Sequence, residues 1–432
     1  MSKGHLTRTR PWHDGAMKDA ANPITLRSPA QDEVDRFLDP LAIAFGEVWT
    51  QDERDLEVKL LEADRVVGAF DGEKQVGCAG AFTFRLTVPG GEVGAAGVTI
   101  VGVLPTHTRR GILRQMMTWL IAQARERGEP VAVLGASEAA IYQRFGYGIG
   151  TLQTQFEIEP MRAIFREPVE MPGQVRLVDP DEATRLFLPI YDAMRVKTPG
   201  SLARTEQKWR WNILHDAEWM RGGNGAKSLA VLEVDGEPRA YAVYRTKADW
   251  DARGPKNVLF AMEVVGVDAA TQQAMWQWLF RIDLVATVKT YRGPVPHPLS
   301  LQLTEPRRLG VSVKDEMWLR ILDVDKALEA RSYAGAGTLT FDLTDEFCSW
   351  NAGRWQLTVP GTGASATLRP AAKGTEADIA LDISALNSVY LGTHTFSDLA
   401  RANRVSEPRV GGVATADALF ASAVAPWSST PF

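Results

Sequence analysis

The sequence predicts an α+β fold of mixed sheets with helices packed on them, and three observations predict it. Strand signals that first read antiparallel pass into a β-α-β crossover between Arg65 and Leu134. The same theme returns between Ser228 and Leu284. A further set of strands and helices follows Leu322. At 432 residues the chain is too long for one ordinary domain. The pattern divides it into 24–151, 152–321 and 322–432, behind a polar tail over 1–23 that reads as mobile.

In the first unit, Pro29 to Phe45 reads as helical, with Val34, Phe37, Leu38, Leu41 and Phe45 at helical spacing. Glu57 to Leu61 reads as a short helix or lead-in. Arg65–Phe70 and Gln75–Thr87 read as strands about the Asp71-Gly72 turn, and Ala96–Val103 as another. Ile112–Arg127 is a helix whose apolar face is Leu113, Met116, Met117, Leu120, Ile121 and Ala124, stopped by Gly128 and Pro130. Val131–Leu134 is a buried strand. In the second unit, Ser228–Val234 and Arg239–Thr246 flank an Asp235-Gly236 hairpin, Val258–Val267 is a strand, and Ala270–Leu284 is a helix. In the third, Thr338–Leu343, Arg354–Val359 and Ala366–Arg369 read as strands. Asp382–Leu391, Phe396–Asn403 and Thr415–Val424 read as helices.

Composition narrows the function. The chain is 45% hydrophobic and 23% charged, as a soluble, core-forming protein is. A formal net charge of -5 argues against a nucleic-acid or anionic-membrane binder. Two distant cysteines, Cys78 and Cys348, build neither a disulfide framework nor a zinc site, so a reducing, cytoplasmic setting is expected. The histidines form no HExxH pair, and no metal is expected. No apolar run approaches the roughly 18 residues of a membrane span, and the N-terminal segment lacks the apolar core of a signal peptide.

The repeat isolates one chemical feature. The first copy reads IVGVLPTHTRRGILRQMMTWL and the second VVGVDAATQQAMWQWL. Both leave a strand through Val-Gly-Val and enter an amphipathic helix, but only the first carries Arg109-Arg110-Gly111; the second carries Asp268. The first N–H groups of a helix lack internal partners and, with the helix dipole, favour an anion. Gly111 lets backbone approach closely, and the arginines add charged donors. A diphosphate suits this junction. There is neither GxxxxGK[ST] nor GxGxxG, so nucleoside-triphosphate and dinucleotide readings are weak. Taken alone, the two arginines could equally begin a solvated helix.

The stretches RLTVPGGEVGAAGVTIVGVLPTHTRRGILRQMM, LGASEAAIYQRFGYG and YLGTHTFSDLARANRV, with the final phenylalanine, resemble the enhanced intracellular survival (Eis) acetyltransferases of the GCN5-related N-acetyltransferase (GNAT) superfamily. That resemblance implies two tandem GNAT-like domains, the second without cofactor, and a C-terminal domain like a sterol carrier protein. It implies a homohexamer and acetyl-CoA as donor. The donor would lie against Val101, Gly102 and Val103. Its diphosphate would meet Arg109, Arg110, Gly111, Ile112, Leu113 and Arg114, with Ser137 and Glu138 beside the pantetheine end. Thr108 departs from the Gln or Arg usual three residues before the glycine.

The resemblance also assigns chemistry. Tyr142, in a short helix over Ser137–Phe145 capped by Ser137, would be the general acid, and a phenol is protonated at neutral pH. On the residues alone, packing of Tyr142 with Phe145 carries more weight. The α-carboxylate of Phe432 would be the base, and backbone N–H near Val103 would polarise the thioester oxygen. Glu47 would help to form an acidic pocket for a polyamine, aminoglycosides above all. Asp52, Glu53 and Asp55 read instead as an exposed helix face. Pro431 replaces the acid that relatives carry before the last residue. An apolar-ligand carrier with a vestigial acetyltransferase unit, or a protein-lysine acetyltransferase, are the rival readings. Cys78, Cys348, Trp276 and Trp278 read as packing residues, and His107 as solvated.

Overall fold

The computed structural model describes residues 23–361 and 365–432. The tail expected over 1–23 lies outside them, apart from Pro23. The first unit contains β1 (Thr25–Arg27), α1 (Asp39–Phe45), α2 (Gln51–Leu60), β2 (Val66–Asp71), β3 (Lys74–Val88), β4 (Gly91–Val103), α3 (Ile112–Glu126), β5 (Val131–Gly135), α4 (Ala139–Gln143) and β6 (Gly148–Ile149). The second contains β7 (Leu152–Ile158), β8 (Gln174–Leu177), α5 (Pro180–Arg195), the single turn α6 (Glu206–Lys208), β9 (Ser228–Val234), β10 (Glu237–Lys247), the small hairpin β11 (Trp250–Asp251) and β12 (Gly254–Pro255), β13 (Asn257–Gly266), α7 (Ala269–Leu279), β14 (Val285–Gly293), α8 (Leu299–Gln302) and β15 (Ser312–Asp315). Next come β16 (Met317–Ile321), α9 (Val324–Ala330), β17 (Gly337–Thr344), β18 (Gly353–Val359), β19 (Thr367–Pro370), β20 (Ile379–Asp382), α10 (Ile383–Tyr390), α11 (Phe396–Arg401), β21 (Val405–Ser406) and α12 (Gly412–Phe420).

The sheets run β1-β2-β3-β4-β5-β16-β6, β15-β7-β14-β13-β10-β9-β8 and β19-β18-β17-β20-β21. Met317–Ile321 falls within the 152–321 unit by sequence but belongs to the first sheet. It pairs antiparallel with β5 from Met317↔Gly135 to Ile321↔Val131, and with β6 on its other edge. The second unit is thus an excursion between two strands of the first. Nothing local in the chain could reveal this, because β16 is buried along its whole length and looks like any core strand.

The Pro29–Phe45 helix divides. A tight turn spans Gln31–Arg36, and α1 starts afresh at Asp39 with Pro40 in its first turn, where a missing N–H costs no internal bond. Helix α2 begins earlier than expected, since Thr50 and Glu53 form a reciprocal cap (Thr50 N–H to Glu53 Oε2, 2.5 Å). In α3 the buried face starts from Ile112 rather than Leu113, which is half-buried. Helix α7 stops at Leu279, short of Leu284, and α12 ends at Phe420. Helix α5, capped by Asp179 with Pro180 at its first position, carried a sequence signature that periodicity alone did not reveal.

Both faces of the first sheet are covered. On one, β2, β4 and β5 pack against α3 through Val98, Leu134, Met116, Met117 and Leu120. On the other, Phe82, Phe84, Val131 and Val133 share a continuous core with Phe341, Leu357, Ile379 and Leu386 of the third unit. Polar ties cross the same contact. Asn387 Nδ2 donates to Gly146 O at 2.7 Å, and its Oδ1 accepts from Ile321 N at 2.9 Å. Arg320 of β16 holds Asp345 through Nη2 at 2.7 Å, both side chains fully excluded from solvent.

Removing one partner of such a pair leaves an uncompensated buried charge, which typically costs about 3–5 kcal/mol. Asp345→Ala should therefore lower the unfolding free energy from urea titration by that order; a loss below about 1 kcal/mol would mean that Arg320 finds another partner.

Candidate active site

The site begins where two strands part. β4 and β5 run parallel for the pairs Ala95↔Val131, Ala96↔Ala132 and Gly97↔Val133, and no further. Beyond Gly97, β4 keeps β3 as a neighbour but has lost β5. A bulge marks the parting. Cys78 opposes Gly102 while Gly80 opposes Thr99, so Ile100 and Val101 share one partner position. Ile100 sits at φ 50°, a conformation that β-branched residues rarely adopt. Leu104 N donates to Val76 O at 2.8 Å, so by strand alternation the N–H of Val103 points away from β3, toward the gap left by β5. An extended chain with its own amide groups could continue the sheet there, which is the fit a pantetheine arm requires.

Gly102 is required by packing. A Cβ at this position would lie 2.8 Å from Leu41 Cα, so the missing side chain is what lets α1 rest on β4. Gly111 is required by backbone conformation: it caps α3 at φ 78° in the left-handed region, with Arg109 before it at φ 64°. Arg109 is exposed. Arg110 is turned to Asp71 Oδ2 at 3.2 Å, where His107 Nε2 also lies at 3.4 Å, so this histidine is held rather than free. Arg114 lays its guanidinium over Phe347, 4.9 Å from the ring centre. Ile112 and Leu113 pack into the core beneath, and the backbone N–H groups of the first turn have no partner within the helix.

Next to the gap lies a cavity of about 550 Å³. Its walls include Val101, Ser137, Tyr142, Phe432 and Glu47, which are far apart in sequence. Glu138, Gly102, Val103 and the Arg109–Arg114 turn lie outside those walls. Helix α4 starts at Ala139 with Glu138, not Ser137, in the cap position, and no side chain closes the cap. Tyr142 is buried, its ring edge-on to Tyr147 at 6.0 Å, and burial pushes its phenol above the ordinary value. Phe432 sets its ring edge-on to Phe84 at 5.0 Å. Glu47 accepts from Trp49 Nε1 at 2.7 Å.

Three carboxylates in the walls were not foreseen: Glu57, Asp315 and Glu316. Burial raises the Glu57 carboxyl, Lys208 opposes the rise, and Glu47 adds to it. Burial pushes Glu316 up to about 7 against the attraction of Arg292, 2.9 Å away. One Glu316 oxygen and the Gln153 side-chain oxygen are buried without hydrogen-bond partners. Glu57 could have been found from the cap at Thr50, which sets the phase of α2. Asp315 and Glu316 could not, because they arrive with the return of β16. Asp52, Glu53 and Asp55 stand apart from the cavity, as expected. Cys78 and Cys348 are buried thiols, raised by burial to about 12 and about 11. Trp276 is buried in the core of the second unit and Trp278 packs against it.

Residues 25–150 and 200–321 match family models described as acetyltransferase (GNAT) domains, and residues 324–429 match one described as a sterol carrier protein domain. A Streptomyces avermitilis protein named as an uncharacterised N-acetyltransferase is 38% identical, covering 92% of this chain and 97% of its own. The N-acetyltransferase Eis of Mycobacterium tuberculosis is 34% identical, covering 93% and 98%. The crystal structure of Eis1 from Mycobacterium abscessus superimposes with a TM-score of 0.81 at 32% identity, covering 94% of this chain and all of that one. With two GNAT domains, a sterol-carrier-like third domain and these relatives along nearly its whole length, the chain is an N-acetyltransferase and belongs to the Eis family.

Proposed function

We propose that this enzyme transfers an acetyl group directly from acetyl-CoA to amines of polycationic small molecules, with aminoglycosides the leading class. The observation that carries the proposal is the cavity where Tyr142 and Phe432 meet four carboxylates, Glu47, Glu57, Asp315 and Glu316, against one guanidinium, Arg292. A polyamine needs several anionic partners, and a partly desolvated cavity strengthens each attraction. The splay beyond Gly97 and the first turn of α3 would hold the donor, which supplies the acetyl thioester.

This chain's residues then have distinct tasks. The N–H of Val103 donates to the thioester oxygen as charge develops there. The α-carboxylate of Phe432 accepts the proton of the attacking amine. Tyr142 gives its proton to the departing sulfur, and its buried setting keeps that proton in place until then. The acidic walls hold the remaining ammonium groups. A homohexamer belongs to the same proposal and is testable by sedimentation.

Tyr142→Phe should lower kcat by about 10²–10⁴-fold while acetyl-CoA affinity stays within about two-fold, read by release of free CoA and by calorimetry. Unchanged turnover would remove Tyr142 from the acid role. A few residues appended after Phe432 should lower kcat by a similar order; normal turnover would remove the terminal base. Glu316 sets a pH test. Its carboxyl is raised in the folded state, so its contribution to stability is full when protonated and is lost as pH climbs from the ordinary carboxylate range through about 7. Glu316→Gln should therefore match the parent near about pH 4 and melt at higher temperature near about pH 8. Equal melting at both would contradict the buried setting.

A further inference from the structure

The two repeats end differently. In the first, Thr99 lies past the last β4–β5 pair and lines the cavity. In the second, the parallel pairing of β13 and β14 stops at Ala261↔Thr290. Aligning the copies on their Val-Gly-Val tripeptides sets Glu263 at the place of Thr99. Glu263 therefore also stands just past a parting of strands. There a carboxylate replaces a hydroxyl, and the space is taken by the protein itself.

Glu263 grips Arg204 at 2.6 and 2.9 Å and accepts from the Tyr241 hydroxyl at 2.7 Å. Arg204 has donors left over, and they go to the end of the chain: Nε to Thr430 Oγ1 at 2.9 Å and Nη2 to Ser429 Oγ at 3.0 Å. The guanidinium lies 3.9 Å from the centre of the Tyr191 ring. Tyr191 donates its hydroxyl proton to Leu202 O at 2.7 Å, so its contact of 2.9 Å with Thr430 Oγ1 takes the threonine as donor. Thr430 thus spends its proton on Tyr191 and a lone pair on Arg204. One step earlier, Trp427 N donates to Pro199 O at 2.8 Å and Trp427 O accepts from Ser201 Oγ at 3.1 Å. Arg204, Glu263, Tyr191, Tyr241, Ser429 and Thr430 are all buried. Two residues beyond this lattice, Phe432 lines the acetyl-transfer cavity.

We infer that the parted strands of the second unit form a socket that fixes residues 427–430, and that Arg204 and Glu263 are positioning residues setting Phe432 in the first unit's cavity. This rests on the reading of Phe432 as the base. A buried ion pair gives little net stability over an apolar filling, but its fixed, forked donors define one register for the chain they hold. That register is what a terminal carboxylate acting on an amine requires, since small misplacements are costly in rate.

The test uses the full-length enzyme. Thr430→Val keeps the shape and removes both hydroxyl bonds; Thr430→Ser restores them. Thr430→Val should lower kcat by about 10-fold or more with KM for acetyl-CoA within about two-fold, and Thr430→Ser should recover most of the loss. Hydrogen exchange of the 427–430 amides should quicken in Thr430→Val while the remainder of the chain is unchanged. Parental kcat in Thr430→Val, or a fall in kcat without faster exchange, overturns the inference. The terminal extension separates the two claims. If it leaves turnover intact while Thr430→Val lowers it, the base assignment falls and the socket stands as the support of a cavity wall. If it abolishes turnover while Thr430→Val is silent, the base assignment stands and the socket falls.

Discussion

Pairing of β16 with β5 holds the three units in one arrangement. The strand follows the whole second unit, yet it closes the first sheet between β5 and β6. Its neighbour Glu316 enters the cavity, and its own Arg320 anchors the third unit through Asp345. The same strand carries Met317, Leu319 and Ile321 into the core that joins the first and third units. Without that pairing the cavity would lose an acidic wall, and the second unit would keep its hold on the first mainly through the contacts of Arg85–Glu92 with Arg195–Ala203. Domain fusion in this molecule is therefore a matter of interleaved sheet, not of beads joined by linkers.

The duplicated unit illustrates how one geometry serves two ends. A parallel strand pair that separates leaves unpaired backbone and room between its arms. In the first copy the room is open and edged by Tyr142. In the second it is closed by protein, with a carboxylate, an arginine and two tyrosines knit around the end of the chain. The carboxylate, the guanidinium and the two tyrosine hydroxyls are tolerated at this depth because each finds a partner.

Local order was legible; long-range return was not. The face of α3, the strands about Asp71-Gly72 and the doubled Val-Gly-Val motif follow from spacing that neighbours in sequence enforce. The start of α2 was written in Thr50 and Glu53, and that of α5 in Asp179-Pro180, but both signals are chemical rather than periodic. The acids Asp315 and Glu316 depend on which strand β16 chooses, a choice made by shape and burial across the fold. Arg110 carries a further lesson. Its type suggested an anion partner, and the folded chain supplies one already in Asp71.

Gly102 joins the two halves of the cavity mechanically. It gives α1 its seat on β4, and α1 runs straight into the segment bearing Glu47 and Trp49. The strand that borders the gap left by β5 is thus also the shelf for the wall that bears Glu47. A side chain at 102 would meet the Leu41 backbone and press α1 away from β4, so in this chain a change at that point disturbs both walls at once.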